Sequence, residues 1–135
     1  MRITTQYLYT EVPDEVEYQE KGLNGSKQFT VVMGLGGPPT GVGTFTLSPM
    51  PGCCGVVVSE NSNLDERYRG IWVGKQFHEI KAKVAAYFGY KAMIMTTQLR
   101  NFPEVIGAAK AGWSFKHSFR NKRTDNDIGI AIKDL

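Results

Sequence analysis

The clearest periodicity in this chain of 135 residues lies in its second half. Apolar residues recur there at spacings of three and four, at Val73, Phe77, Ile80, Val84 and Phe88. That spacing predicts the buried stripe of an amphipathic helix. The polar residues expected on the opposite face are Lys75, Gln76, Glu79, Lys81 and Lys83. Gly89 follows at the position where a C-terminal glycine ends such a helix.

Other apolar runs are short, rich in β-branched residues and bounded by glycine or proline, which is typical of strands. Strands are predicted at 28–35, 44–47, from 55 onward, and at 90–97, 113–119 and 128–132. The Gly/Pro segment 34–43 then predicts a hairpin connection. It contains a Gly-x-Gly, but Pro39 stands where a dinucleotide-binding fingerprint has its third glycine. The segment also precedes a predicted strand, whereas that fingerprint precedes a helix. A Rossmann phosphate loop is therefore not predicted.

A second helix is predicted from the sequence Asn101-Phe102-Pro103-Glu104, which matches a capping box with proline in the first turn. Gly112 marks its expected end. The first thirty residues are polar and acidic, and their periodicity is weak. The resulting order of strands, helix, strand, helix and two strands indicates a mixed α/β domain.

Composition agrees with one compact domain, since 41% of the residues are hydrophobic and 21% are charged in a chain of 15.0 kDa. Every apolar run is shorter than the roughly 20 residues that a membrane helix needs. Met1 and Arg2 lead into polar residues rather than the apolar core of a secretory signal. We therefore expect a cytoplasmic protein without membrane contact.

Charge is divided unevenly along the chain. Residues 1–66 carry three bases and eight acids, whereas residues 67–135 carry 13 bases and five acids. A basic half favours an anionic ligand, either a phosphorylated cofactor or nucleic acid, although an ordinary solvated surface explains it equally well. The sequence contains no helix-turn-helix, zinc-finger or RNA-binding aromatic motif, so a nucleic-acid-binding module rests on the basic half alone.

Cysteine and histidine give no metal signal. Cys53 and Cys54 are adjacent, so they cannot join separate segments, and no further ligands accompany them. His78 and His117 lie 39 positions apart. We expect the two cysteines to be reduced and mostly buried.

The most informative stretch is Tyr68-Arg69-Gly70-Ile71-Trp72-Val73-Gly74, at the junction between a strand and the long helix. A helix start leaves about four backbone N–H groups unpaired at the positive end of the helix dipole. Small residues there let a phosphate approach the backbone. The alternative interpretation is a plain glycine-containing turn.

In its surroundings this stretch resembles the acyl-CoA-binding motif of the GNAT superfamily of N-acetyltransferases, Q/R-x-x-G-x-G/A. The motif matches Arg69 to Gly74, and two further family features follow at the usual spacing, Gly89-Tyr90 and Asn101 with Gly112-Trp113. The resemblance covers about residues 55–135. It implies a single GNAT-type α/β (α+β) domain over 1–135, with a central mixed, mostly antiparallel sheet flanked by helices. Residues 55–135 would form the CoA-binding part and 1–54 a shortened acceptor-side part, in which 1–27 abbreviate the family's first strand and pair of helices.

The resemblance also implies an activity, acyl transfer from acetyl-CoA to a primary amine on a small molecule or a protein, without a metal. Edge strands often pair between subunits in this family, so a homodimer is one further expectation. Glu60 is the candidate base that takes the ammonium proton, since it shares a strand face with Val56 and Val58. The alternative for Glu60 is a solvated carboxylate at a strand end.

Cofactor contacts are implied in the same way. Backbone groups near Asn63 and Leu64 would hold the pantetheine amides and the thioester oxygen. Asn101 would contact the cofactor arm in addition to its role as a helix cap. The pyrophosphate would lie on the backbone of the loop and beside nearby basic side chains. The loop residues are Gly70, Ile71, Trp72, Val73 and Gly74, and the basic residues are Arg67, Arg69 and Lys75.

Two departures from the family pattern bear on activity. Trp72 replaces the central glycine of the phosphate loop, where its side chain either crowds the pyrophosphate or points away. Ala108 lies seven positions after Asn101, where many members carry a tyrosine that protonates the leaving thiolate. Both departures favour the alternative of a catalytically inactive GNAT-fold protein with a binding or structural role.

Overall fold

A computed structural model describes residues 1–14, 25–34 and 38–135. Two α-helices are present in these ranges, α1 (Ile71–Tyr87) and α2 (Phe102–Lys110), and a 3-10 turn at Glu66–Tyr68 precedes α1. The strands are β1 (Arg2–Thr4), β2 (Leu8–Glu11), β3 (Lys27–Met33), β4 (Thr40–Pro49), β5 (Val56–Leu64), β6 (Ala92–Gln98), β7 (Ser114–Asn121) and β8 (Asn126–Asp134).

The eight described strands form one open sheet in the order β1-β2-β3-β4-β5-β6-β8-β7. Strands β5 and β6 run parallel, and the other neighbouring pairs are antiparallel. Helix α1 makes the crossover that a parallel pair requires. The predicted fold class, a mixed and mostly antiparallel sheet with flanking helices, is confirmed.

Both helices end at the predicted glycines. Gly89 and Gly112 adopt positive φ values of 87° and 89°. The next residue in each case donates its N–H back into the last turn, from Tyr90 to the Ala85 carbonyl at 3.2 Å and from Trp113 to the Ala108 carbonyl at 3.0 Å. This is the Schellman arrangement, which depends on a residue without a Cβ at the left-handed position.

The core lies between α1 and the sheet. Phe77, Ile80, Val84 and Phe88 from the predicted stripe are buried, which confirms that face of the helix. They pack against aromatic side chains of the sheet, where the rings of Phe29 and Phe45 stack 5.3 Å apart. This packing fixes the position of α1 across the sheet and therefore the position of its first turn.

The predicted polar face of α1 is wrong at two positions, because Gln76 and Lys81 are only 4% and 0% exposed. The buried arc is wider than one stripe, since α1 packs against α2 as well as against the sheet. The side-chain amide oxygen of Gln76 (Oε1) accepts hydrogen bonds from the Tyr7 backbone N–H (2.8 Å) and the Thr5 hydroxyl (3.0 Å). Gln76 therefore attaches the β1–β2 turn to the helix.

The N-terminal segment also differs from the expectation. Residues 1–14 contain the antiparallel hairpin β1–β2 at one edge of the sheet, in place of an abbreviated strand and pair of helices. The rest of the expected helical region, 15–24, lies outside the described residues, as does the predicted strand end at Leu35. The hairpin was missed because its strands have three and four residues with few apolar positions.

Two loop predictions need correction. Gly41 and Gly43 belong to β4, so the connection after β3 is shorter than 34–43. Cys53 and Cys54 are free but exposed, contrary to the expectation that they are buried. They lie in the surface turn between β4 and β5, where loop backbone remains accessible to solvent.

Candidate functional site

Strands β5 and β6 separate to form a fork in the middle of the sheet. They pair only through three rungs, which end at Val58 opposite Ile94. Beyond this point β5 continues to Leu64 and pairs with β4, and β6 continues to Gln98 and pairs with β8. The facing edges of the fork therefore present backbone N–H and C=O groups that no described strand pairs.

A β-bulge in β5 accounts for this separation. Thr44 pairs with Asn63 and Thr46 pairs with Glu60, so Asn61 and Ser62 together lie opposite the single residue between those threonines. Asn61 adopts a positive φ of 52°, which asparagine tolerates better than most residues. Because a bulge bends and twists its strand, it turns the end of β5 away from β6.

The first turn of α1 is the second part of the site. The Gly74 N–H bonds to the Gly70 carbonyl at 2.8 Å. The preceding N–H groups, of Ile71, Trp72 and Val73, have no helical carbonyl to bond because they begin the helix. A Cβ on Gly70 would meet no atom within 4 Å, so the space beside this turn is open.

Helix α2 forms the opposite wall, and it approaches α1 through glycine. A Cβ on Gly107 would lie 3.1 Å from the Lys75 backbone nitrogen and 3.2 Å from the Gly74 carbonyl carbon. This close approach places the start of α2, with Asn101 and Glu104, beside the first turn of α1.

A cavity of about 310 Å³ lies between these elements, in the size range of small-molecule sites. It shares Ser62, Asn101 and Glu104 with a second cavity inside the fork. The two cavities thus form one continuous groove, from the first turn of α1 to the space between β5 and β6. We refer to it below as the groove.

Six predicted cofactor residues line the first cavity, namely Asn63, Leu64, Arg69, Gly70, Gly74 and Asn101. Arg69 is held in place by a hydrogen bond from its Nε to the Leu64 carbonyl at 2.9 Å. Glu60 lines the fork, and its exposed carboxylate accepts a hydrogen bond from the Ser48 hydroxyl. The structure thus brings these seven residues to one groove.

The predicted capping box at Asn101 is only partly present. Asn101 does precede the first residue of α2, and its carbonyl accepts the Val105 N–H at 3.1 Å. Its side chain makes no cap hydrogen bond to the helix; instead its amide donates to the Glu104 carboxylate at 2.9 Å. Asn101 and Glu104, joined by this hydrogen bond, both line the groove.

Other predicted residues point away from the groove. Trp72 is 71% exposed, so its side chain projects into solvent and leaves the helix start uncovered. Lys75 forms an ion pair with Glu79 at 3.1 Å, and Arg67 forms one with Asp65 at 3.1 Å. Of the two alternatives for Trp72, the structure supports the one in which the ring points away.

Sequence reasoning missed the polar residues beneath the groove, His78 and Lys81. Burial lowers the pKa of Lys81 to about 8, and the nearby Glu104 carboxylate opposes this change. Burial, followed by the charge of Lys81, holds the pKa of His78 well below its usual value. The His78 Nδ1 is buried and has no hydrogen-bond partner among the described residues. In the sequence both residues are indistinguishable from ordinary surface positions of a helix.

No protein-family model and no curated protein matches this sequence. Solved structures do match. A GNAT-family acetyltransferase from Bacillus anthracis superposes with a TM-score of 0.73 at 14% identity, over 99% of this chain and 98% of that one. The chain has the GNAT fold. A probable GNAT acetyltransferase from Chromobacterium violaceum gives 0.68 at 12% identity, over 98% and 85% of the two chains.

A third GNAT neighbour was crystallised with ligands. Spermidine N-acetyltransferase from Vibrio cholerae, in complex with CoA and spermine, matches with a TM-score of 0.67 at 11% identity, over 82% of this chain and 66% of that one. At these identities the likeness concerns the GNAT fold. In the described part of the chain, no three His, Cys, Asp or Glu residues are grouped to hold a metal ion. Neither described helix has the length and apolarity needed to cross a membrane.

Proposed function

We propose that this protein is an acyl-CoA-dependent N-acetyltransferase that transfers an acetyl group from acetyl-CoA to a primary amine. One observation carries the proposal: the groove joins the free N–H groups of α1 to the unpaired strand edges of the fork. A long ligand with an anionic part and an amide-bearing arm matches these two surfaces in this order. Coenzyme A is such a ligand.

Each part of the groove fits a different part of the cofactor. The N–H groups of residues 71–73 suit a pyrophosphate, and Gly70 leaves the space for it open. Arg69 adds positive charge at the same place. The β5 backbone at Asn63 and Leu64 lines the cavity where the pantetheine amides would lie, so the arm would extend along β5 towards Ser62.

The chemistry is direct transfer between two bound substrates. The amine must lose a proton before it attacks the thioester carbonyl, and Glu60 is the proposed base because it lines the cavity inside the fork and its carboxylate is exposed. The groove orients the two reactants, which is itself a large part of such catalysis. Solvent receives the proton from Glu60 after transfer.

The direct test is amine-dependent release of CoA. Acetyl-CoA is incubated with the protein and a panel of polyamines, amino acids and peptide N-termini, and acetylated products are identified by mass spectrometry. We expect at least one amine to be acetylated, with turnover on the order of 1 s⁻¹ or more. Binding of acetyl-CoA without transfer to any amine would support the inactive alternative, which the buried Ala108 favours.

Substitution of Glu60 tests the proposed base. Glu60→Gln keeps the shape of the side chain but cannot accept the proton, so kcat/KM at neutral pH should fall about 100-fold. The matched control is Glu11→Gln, since Glu11 is also an exposed strand carboxylate with one hydrogen-bond donor, Arg2. Equal activity in the two variants would remove Glu60 from the mechanism.

The exposed position of Trp72 gives a second prediction. Trp72→Ala should change the acetyl-CoA dissociation constant by less than about threefold, because the ring projects into solvent. Gly70→Val should weaken binding by more than about tenfold, because its side chain would enter the open space beside the helix start. Titration calorimetry measures both. A large loss in Trp72→Ala with none in Gly70→Val would contradict this placement of the cofactor.

A further inference from the structure

The floor of the fork contains a buried ammonium group. Lys81 is 0% exposed, and its Nζ donates to the Ser62 hydroxyl at 3.1 Å and lies 3.9 Å from the Met95 sulfur. The rings of Phe77 and Trp113 are centred 5.4 and 5.8 Å away. Among the described residues, Ser62 is thus the only oxygen acceptor for a group with three donor positions.

The two neighbours of Nζ place it between the arms of the fork. Ser62 lies on the bulge of β5, and Met95 is the first residue of β6 beyond the last rung at Ile94. Ser62 is exposed and lines both cavities of the groove. Its hydroxyl therefore separates the Lys81 ammonium from whatever occupies the groove.

We propose that Ser62 and Lys81 form a proton relay to the leaving thiolate of acyl-CoA. This inference rests on the proposed acetyl transfer. When the tetrahedral adduct collapses, the C–S bond breaks and its electron pair stays on sulfur. The Ser62 hydroxyl gives its proton to that sulfur and takes one from the Lys81 ammonium. The neutral Lys81 amine then regains a proton from solvent, while the acceptor nitrogen has lost its own.

Ser62 is the catalytic residue of this pair, and Lys81 acts through it. The relay supplies the acid that Ala108 cannot provide, since a methyl group has no proton to give. Lys81 is also suited to the task electrostatically, because its pKa of about 8 is close to the value of about 8.5 for an ordinary thiol. The Glu104 carboxylate of α2 raises the pKa of Lys81, and the Lys81 charge in turn lowers the pKa of His78 on its own helix, whereas β5 and β6 contribute the uncharged Ser62 and Met95.

The test compares Lys81→Met, Ser62→Ala and the double variant with the wild type, using the best amine from the panel. Lys81→Met should lower kcat about 100-fold at neutral pH, and Ser62→Ala at least tenfold. The double variant should be no slower than the slower single variant, because the two residues act in one chain. Lys83→Met is the control, since Lys83 is an exposed lysine on the same helix.

A pH profile separates the relay from a structural role. The wild-type kcat should fall above about pH 8, as Lys81 loses its proton, and this descending limb should be absent from Lys81→Met. A Lys81→Met variant that keeps the limb, or a kcat within about threefold of wild type, overturns the relay. If Lys81→Met does not fold, the same comparison is made with Ser62→Ala, Lys81→Arg and their double variant. Additive losses of kcat in that double variant would also overturn the relay. Absence of turnover in the wild type would instead overturn the proposed function, and the relay with it.

Discussion

Lys81→Met is expected to stabilise the protein by about 3 kcal/mol at pH 7. Burial lowers the pKa of Lys81 from 10.5 to about 8, and each pH unit of that change costs the folded state about 1.36 kcal/mol. Methionine is unbranched and of similar length, and its sulfur packs well against the rings of Phe77 and Trp113. Loss of the hydrogen bond to Ser62 makes this value an upper bound.

The pH dependence of this gain follows from the direction of the pKa change. Between about pH 8 and 10.5 the unfolded chain holds a proton on Lys81 that the folded protein has lost, so wild-type stability rises with pH in this window. Below pH 8 both states are protonated and the full cost remains. The stability difference between Lys81→Met and wild type should therefore be constant below pH 8 and disappear by about pH 10.5.

Urea unfolding at several pH values measures this difference. Lys83→Met is again the control, and its stability should stay within about 0.5 kcal/mol of wild type because Lys83 is exposed. A destabilised Lys81→Met, or a difference that does not change between pH 8 and 10.5, would show that the ammonium is not a net cost to the fold. A gain in stability together with a loss of activity would be the usual trade-off at a functional site.

Gly43→Ala is expected to destabilise the protein by about 3 kcal/mol. A Cβ at Gly43 would lie 2.5 Å from the Asn63 carbonyl oxygen, 2.9 Å from the Phe77 ring and 3.2 Å from the Leu64 Cα. Two of these three contacts are with the backbone of β5, which cannot rotate aside. The strand must shift, and it carries the cofactor edge of the groove with it.

Gly41→Ala is the matched control, because a Cβ there meets no atom within 4 Å and Gly41 lies two positions earlier in the same strand. Thermal unfolding of both variants should show a lowering of about 10 °C for Gly43→Ala and little change for Gly41→Ala. Equal midpoints would mean that β4 and β5 do not approach as closely as described.

Helical periodicity was sufficient to predict the apolar stripe of α1, and the glycines at 89 and 112 marked both helix ends. The buried positions of Gln76 and Lys81 were not predictable in this way, because the width of the buried arc depends on where α2 and the β1–β2 turn pack against α1. The bulge at Asn61 depends on the register between β4 and β5, which strand patterns alone do not determine. The fork, and with it the contact between Ser62 and Lys81, could therefore not be predicted from the sequence.

The same contrast holds for the candidate site. The family resemblance predicted the glycines of the helix start together with Asn63, Leu64 and Asn101. All of these residues line the groove. It also included Trp72 and Lys75, whose side chains point elsewhere. A motif specifies which backbone positions begin a helix, whereas the direction of a side chain depends on its neighbours in the fold.

The most direct test of the central claim is thermal unfolding with and without acetyl-CoA. A ligand at 100 times its dissociation constant adds about 2.7 kcal/mol to the free energy of unfolding, which raises the midpoint by several degrees in a domain of this size. We expect such a rise with acetyl-CoA in the wild type and a much smaller one in Gly70→Val. An unchanged midpoint in the wild type at millimolar acetyl-CoA would contradict the assignment of the groove as an acyl-CoA site.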